Sequence, residues 1–585
     1  MKKRKRTVEK RPEAAPPPEG FRPWHYALAF AAACAAVFAA YGPALRGPFV
    51  FDDRYLPFAE HEFHRASLIA WMRGVRPFLM ASYWLNYRIS HMEPFSYHLV
   101  NVLLHLATGV LIFLIAMRLL KWAGAEERLR GLLALFAGGL FLLHPVQTES
   151  VAYVASRSEG LSVFFFYAAF ALFLYRRSPA ISWLESAGIL LLFGAAVSTK
   201  EHAAALPLLL LLTDYFWNPG FSFSGIRKNW RVYALLAVAG AIALRVVYRI
   251  LRHSPSAGFH IKEFTWIQYF YTECRAIWVY VRMFVLPYGQ NVDHDFAASR
   301  GILDHGAVIG LAALIALGAA AIYFRRRYPL ACYGILMFLL LLAPTSSFIP
   351  LADPLAERRL YLPFLGLLLV AVDCLRRWRV SRTGLAAAML GILLVAGWLT
   401  AARAAVWGNE TALWEDSVAK APNKARPRQH LAYAYFTHGQ CDAAIQQYEA
   451  AARITTPDFR DWIDWALADD CLHRWDEAIE KLQQAASIRQ TAQVYALLGL
   501  VYGHQNKTAL ALTALDAAEH LDRRFEDLYI YRAIVYAGAY DYAKAADVYR
   551  RVLARDPRNE DALSGLPIVE QRLRAQQQRF LQPQH

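Results

Sequence analysis

The sequence predicts an all-α protein in two parts, a polytopic helical membrane domain followed by a helical solenoid. Three observations carry this expectation. Of the 585 residues 57% are hydrophobic, and they gather into apolar runs too numerous and too long for the interior of a soluble domain. After Trp407 the runs stop and a repeat period of 34 residues begins. The net charge of +16 is unevenly placed: residues 1–408 hold 42 Lys and Arg against 23 Asp and Glu, residues 409–585 hold 21 against 24. Basic excess confined to the apolar half argues against a nucleic-acid partner and for positively charged loops on one side of a membrane.

Residues 1–23 open with "MKKRKRTVEKRPEAAPPPEG", too long and too charged for a cleavable signal, and are expected to be a disordered basic cytoplasmic leader. At about twenty apolar residues per span, candidate spans fall near 24–45, 97–117, 131–146, 160–175, 182–198, 203–217, 232–251, 303–323, 329–349, 359–375 and 384–406, about eleven in all. The stretch 266–289 is broken by Glu273, Arg275 and Arg282 and ends in Pro-Tyr-Gly. If it does not cross, the leader and the loops "RLLKWAGAEERLR", "YRR", "RKNWR", "RRR" and "RRWRVSR" all face the cytoplasm. It is therefore expected to be an interfacial or re-entrant helix on the outer face. Residues 24–407 form the membrane domain on this reading, and everything after it lies outside.

Residues 408–571 show the tetratricopeptide period. Asp442-Ala443-Ala444-Ile445 recurs 34 residues on as Asp476-Glu477-Ala478-Ile479, and after a shortened interval Ala509-Leu510 is followed 34 later by Ala543-Lys544. Each unit is expected to be two helices joined by a short turn, with Ala at the crossings and about four units in all. Such solenoids hold polypeptide; residues 572–585 are a tail. Cys441 opens the second helix of one unit and Cys471 closes the first helix of the next, so the two could lie close, and on the oxidising side of a membrane a disulfide between them is open. The other cysteines make no metal-ligand spacing.

Charged groups at a membrane face need a reason, and the outer loops concentrate them: Asp52-Asp53-Arg54, Arg76, His144 and Glu149, Arg157 and Glu159, Lys200-Glu201-His202, Asp293-His294-Asp295 and Glu357-Arg358-Arg359. Glycosyl transfer from a polyprenyl-phosphate sugar to a protein hydroxyl needs this arrangement. The donor phosphate lies where an apolar groove meets water, Arg or Lys neutralises the leaving phosphate, and a carboxylate takes the proton of the attacking hydroxyl. One carboxylate suffices for a single inverting displacement, and the second could orient it or bind a metal.

On the motifs "FVFDDR" (49–54), "RPFLMASYWLNYRI" (76–89), "PFSYHLVNVLLHL" (94–106), "LHPVQTESVAYVASRSEGLS" (143–162), "STKEHAAALPLLLLLTD" (198–214), "NVDHDF" (291–296) and "ADPLAERRLYLP" (352–363), the chain resembles the transmembrane and tetratricopeptide-repeat O-mannosyltransferases and their bacterial relatives, of the GT-C glycosyltransferase superfamily. The resemblance implies a GT-C-type membrane domain, a polyprenyl-phosphate monosaccharide donor, and a catalytic acid in the first outer loop. Asp52 and Asp53 are the catalytic pair it implies, with either as base. Arg76, which enters from the outer-loop charges, and His144, Glu149, Arg157, Lys200, Glu201, Glu357, Arg358 and Arg359 are the expected contacts to donor phosphate and sugar. No metal site is assigned; a divalent ion remains open. The acceptor is a polypeptide held by the repeats, and the setting is a bacterial inner membrane with the repeats in the periplasm. Two other readings stand beside this one: transfer to a lipid or glycan acceptor, and a non-catalytic membrane scaffold built on the repeats.

Overall fold

The computed structural model describes residues 21–253, 257–261 and 264–581; residues 1–20 of the predicted leader and the end of the tail lie outside them. The chain forms two compact units divided between Leu413 and Trp414. Among the described residues there is no β-strand, only an isolated bridge between Ala257 and Leu351.

Each of the eleven predicted apolar windows holds a helix: α1 (Pro23–Tyr41), α3 (Pro94–Trp122), α4 (Glu127–Leu143), α5 (Arg157–Leu174), α6 (Trp183–Val197), α7 (Leu206–Trp217), α8 (Trp230–His253), α10 (Ala307–Phe324), α11 (Pro329–Leu342), α12 (Phe364–Arg377) and α13 (Arg382–Trp407). Between them lie α2 (Pro77–Ser90) and α9 (Trp266–Val285). Among the described residues six helices are long and apolar enough to cross a membrane, those at α1, α3, α5, α8, α10 and α13, and a seventh counts if α4 and the helix bent 48° from it are one span. The protein is thus an integral membrane protein. The helix α9, with its three charged residues, is not among the six.

Helices α6, α7, α11 and α12 are shorter than their predicted windows, α4 stops three residues before the end of its own, and the reason is local. Helices α4, α6 and α11 end, and α7 and α12 begin, at His144–Ser156, Lys200–Ala205 and Ser346–Leu360, which fold into short helical turns and loops rather than continuing the rods. These are the segments richest in polar motif residues. Irregular backbone next to a bilayer is tolerated where protein buries it, and these loops are largely buried.

Burial sorts the long helices. In α5, 72% of the apolar window lies inside the protein, against 17% in α8 and α10, so α5 is central and the other two face lipid. Close packing rests on small residues: at the crossing of α11 and α12, a Cβ on Gly334 would lie 2.5 Å from the Gly366 carbonyl.

The second unit is a tetratricopeptide solenoid. After α14 (Glu410–Lys420) come four helix pairs, α15/α16 (Ala425–Thr437, Cys441–Ala452), α17/α18 (Phe459–Cys471, Trp475–Ile488), α19/α20 (Ala492–His504, Thr508–Leu521) and α21/α22 (Asp527–Gly538, Tyr542–Arg555), then α23 (Glu560–Leu581). The turn inside each pair is the same. Gly439, His473, Asn506 and Tyr540 all take positive φ, 57–73°, and the next N–H closes on the carbonyl five residues back at 2.9 Å in every case. This is a left-handed helix stop that satisfies the last carbonyls. Ala444, Ala478, Ala511 and Ala545 occupy the equivalent fully buried crossing positions, where a larger side chain would force the helices apart. The irregular third unit is a one-residue shortening between α17 and α19, absorbed in the connection. Cys441 and Cys471 form a disulfide, Cα–Cα 6.4 Å, that joins the first two pairs.

Candidate active site

After α1 the chain turns and runs beneath the end of α13; a Cβ on Gly47 would lie 2.9 Å from the Trp407 carbonyl, so the passage admits only glycine without displacement. Phe51 takes a left-handed backbone (φ 53°) and opens a short 3₁₀ turn, Phe51–Tyr55, that presents the two acids. A bulky residue in that region is strained and must be held by its surroundings. Here Phe51 stacks on Tyr153 (centroids 6.1 Å, 29°), which stacks in turn on Trp407 (5.6 Å, 30°). Arg54 forks onto the Glu410 carboxylate at the start of α14.

The two acids have different surroundings. Asp53 is fully buried, its Oδ2 accepting the Val50 N–H at 3.1 Å and its Oδ1 the Ala155 N–H at 2.7 Å. Burial pushes its carboxyl up to about 8, against those backbone donors. Asp53 thus stitches its own loop to the Tyr153–Ser156 turn. Asp52 is exposed, and its backbone N–H donates to Tyr153 Oη at 2.9 Å. Of the two, only Asp52 offers its carboxylate to an incoming group.

Tyr153 is therefore the seat of Asp52, and it is fixed from behind. Asn101 Nδ2 donates to the Val151 and Tyr153 carbonyls at 3.3 and 3.2 Å. Arg157 Nε donates to Asn101 Oδ1 at 3.0 Å, and Nη2 to the Tyr97 carbonyl at 3.0 Å. The guanidinium also lies over the Tyr83 ring at 4.6 Å. Tyr153→Phe keeps both ring stacks and removes the hydroxyl acceptor; a lost neutral hydrogen bond of about 0.5–1.5 kcal/mol gives an expected fall in turnover of about threefold to tenfold. Assayed beside a thermal melt in detergent, the variant should show little change in melting temperature.

Around this seat the structure gathers five of the predicted contacts into ion pairs. Arg76 forks onto Glu201 with both bonds at 3.0 Å. Arg358 pairs with Glu149 and donates its backbone N–H to the same carboxylate at 2.9 Å. Lys200 pairs with Glu159, whose other oxygen lies 3.2 Å from His202 Nδ1. Arg358 is within electrostatic reach of Tyr153 and of Lys200, and Arg76 of Lys200. Burial pushes the Lys200 ammonium down, Glu159 resists, and Arg76 and Arg358 push the same way as burial.

The other four predicted contacts use their polar atoms on neighbouring chain. His144 Nε2 lies 3.0 Å from the Phe284 carbonyl, its Nδ1 accepts from Val146 N–H at 3.3 Å, and its ring packs on Phe284 and Phe364. Arg157 is fully buried behind Asn101. Glu357 accepts from the Asn291 N–H at 2.6 Å and Gln290 Nε2 at 3.0 Å, with His294 Nε2 at 3.2 Å. Arg359 donates to the Asp353 and Pro354 carbonyls and lies 3.8 Å from Glu273. Tyr153 and Asn101 were not singled out by sequence, though Tyr153 sits inside the 143–162 motif. Among the described residues no group of three or more His, Cys, Asp or Glu side chains is placed to hold a metal ion.

No protein-family model matches the chain. Among curated proteins, it is 26% identical over 541 residues to the Drosophila melanogaster protein O-mannosyl-transferase Tmtc3, covering 77% of this chain and 57% of that one. It is 24% identical to human protein O-mannosyl-transferase TMTC1 (71% and 54%) and 22% to the Caenorhabditis elegans protein O-mannosyl-transferase F38B6.6 (65% and 54%). The chain thus spans about half the length of these relatives. Among solved structures, the crystal structure of YrrB, a TPR protein with an unusual peptide-binding site, matches 30% of this chain and 88% of its own at 16% identity with a TM-score of 0.23, too loose a superposition to bear on the argument. In sequence, over most of its length, the chain is similar to the protein O-mannosyl-transferases of the TMTC family.

Proposed function

We propose that this protein is an inverting membrane glycosyltransferase that moves a mannose-like sugar from a polyprenyl-phosphate donor to Ser or Thr hydroxyls of extracytoplasmic proteins. The observation that carries the reading is the pairing of one exposed carboxylate, Asp52, with cations that keep part of their surface free. The Arg76, Lys200 and Arg358 side chains are 36%, 17% and 21% exposed, whereas Arg157 is fully buried and the Arg359 side chain is 8% exposed. Asp52 accepts the hydroxyl proton as the oxygen attacks the anomeric carbon, and the carbon–phosphate oxygen bond breaks on the opposite side. The released polyprenyl phosphate is received by Arg76, Lys200 and Arg358, whose charges are already placed and need no reorganisation during the reaction. Glu149, Glu159 and Glu201 hold those cations in position until the phosphate competes for them.

The similarity to protein O-mannosyl-transferases supports the sugar and the acceptor class. The disulfide between Cys441 and Cys471 supports placing the repeats in an oxidising compartment, here the periplasm facing a bacterial inner membrane, and the solenoid is the element that holds the acceptor chain. The test is glycoproteomics of extracytoplasmic proteins in a deletion strain complemented with wild type or with Asp52→Asn. A Ser- or Thr-linked hexose that returns only with wild type is the expected result. An unchanged glycoprotein profile in every strain would sink the protein-acceptor reading.

A further inference from the structure

The end of α7 away from Lys200 holds a second feature that the transfer reaction does not use. Helices α7 and α11 pack side by side there: Tyr333 Oη lies 2.7 Å from Thr213 Oγ1, and its ring meets Phe216 at 5.5 Å. Beside this contact lies a cleft of about 490 Å³, lined by Leu208, Leu212 and Tyr215 of α7, Leu336 and Leu340 of α11, and Phe223 from the following segment. Its lining is apolar, Phe223 and Leu208 are more than half exposed, and its volume is that of a small-molecule site, roughly 300–1,000 Å³. Tyr215 lies nine residues beyond Leu206, where α7 begins, about 14 Å along the helix, so the cleft extends away from Lys200 toward the opposite leaflet.

The mouth of this cleft is positive. Ile226, which also lines it, is followed by Arg227 and Lys228 at the end of their short helix. Arg325 reaches in from the end of α10, its guanidinium 5.9 Å from the Phe221 ring, and Phe221 packs on Tyr215 at 6.3 Å. Arg325 Nε is buried with no hydrogen-bond partner. Among the described residues, Arg227, Lys228, Arg325 and Arg326 have no acidic side chain at ion-pair distance. Other cations at this end do: Arg176 with Asp214, Arg376 and Arg377 with Asp373, Arg382 with Glu126. Asp214, the acid nearest the cleft in sequence, is buried and taken by Arg176, Asn229 and Tyr233.

We propose that this cleft retains an anionic glycerophospholipid of the leaflet opposite Asp52, with one acyl chain along the Leu208–Leu212 and Leu336–Leu340 walls and its phosphate between Arg325 and Arg227. Charge complementarity selects the headgroup; the apolar walls select a lipid over a soluble phosphate. The experiment is native mass spectrometry of the full chain in mild detergent, titrated with palmitoyl-oleoyl phosphatidylglycerol, phosphatidylcholine and undecaprenyl phosphate. Wild type is expected to bind phosphatidylglycerol in preference to phosphatidylcholine. That preference should fall by about fivefold for each of Arg227→Ala and Arg325→Ala, while Leu212→Trp, which fills the cleft and leaves the cations, removes the bound lipid. Equal binding of the two phospholipids by wild type, a preference unchanged in both arginine variants, or displacement by Leu212→Trp of undecaprenyl phosphate alone would each overturn the proposal.

Discussion

Replacing Asp52 by Asn is expected to lower sugar transfer by about 10²–10⁴-fold, the range of a lost general base, with membrane insertion and thermal stability unchanged. The side chain is exposed, the hydrogen bond to Tyr153 comes from the backbone N–H, and among the described residues the carboxylate makes no ion pair, so the substitution removes basicity and little else. Asp53→Asn is expected to behave differently. Its two oxygens accept two backbone N–H groups, from Val50 and Ala155, and an amide can accept at only one of them while turning its own donors toward the other. The cost is about 1–3 kcal/mol of local stability, with activity falling because the Phe51–Tyr55 turn loosens. Radiolabelled-donor assays on purified protein, beside hydrogen exchange over residues 47–56, separate the two. Activity surviving in Asp52→Asn, or protection lost equally in both variants, would reverse the assignment of base and brace.

Arg358→Met is expected to be the most destabilising single change among the candidate residues. It strands the Glu149 carboxylate, 2% exposed, without its ion pair, and breaking a buried pair from one side costs about 3–5 kcal/mol. The double variant Glu149→Gln/Arg358→Met removes the stranded charge and should recover most of the melting temperature. Transfer activity should stay low in the double variant, because the leaving phosphate still lacks its cation. Recovery of activity together with stability would mean that Arg358 acts only as a strut. The proposed phosphate contacts would then contract to Arg76 and Lys200.

The limits of sequence reading show best in Arg157 and Arg358. Both lie in charged outer motifs, both follow apolar windows, and local pattern treats them alike. They differ because Asn101 and the Tyr97 carbonyl, brought from 56 and 60 residues away, consume donors of Arg157, while Arg358 pairs with Glu149 and keeps part of its surface free. Likewise the adjacency of Asp52 and Asp53 was legible and their division of labour was not. That division depends on the Ala155 N–H, 102 residues away. Tyr153 was missed for the same reason: a tyrosine in a mixed motif has no local pattern that marks it as an acceptor for a distant backbone.

What the sequence by itself determined is whatever depends on neighbours within a turn or a repeat. The apolar windows hold helices because about twenty apolar residues satisfy their own backbone in lipid only as a helix. The 34-residue period places a buried alanine and a left-handed turn in every pair because each unit stacks on the last. Tertiary structure alone decided where those helices stop, since α4, α6, α7, α11 and α12 give way to buried polar loops whose partners come from elsewhere in the chain. It also decided which charged groups remain free to act. Ion pairing and desolvation depend on through-space distances of a few ångströms, and those distances are set by the packing of helices far apart in sequence.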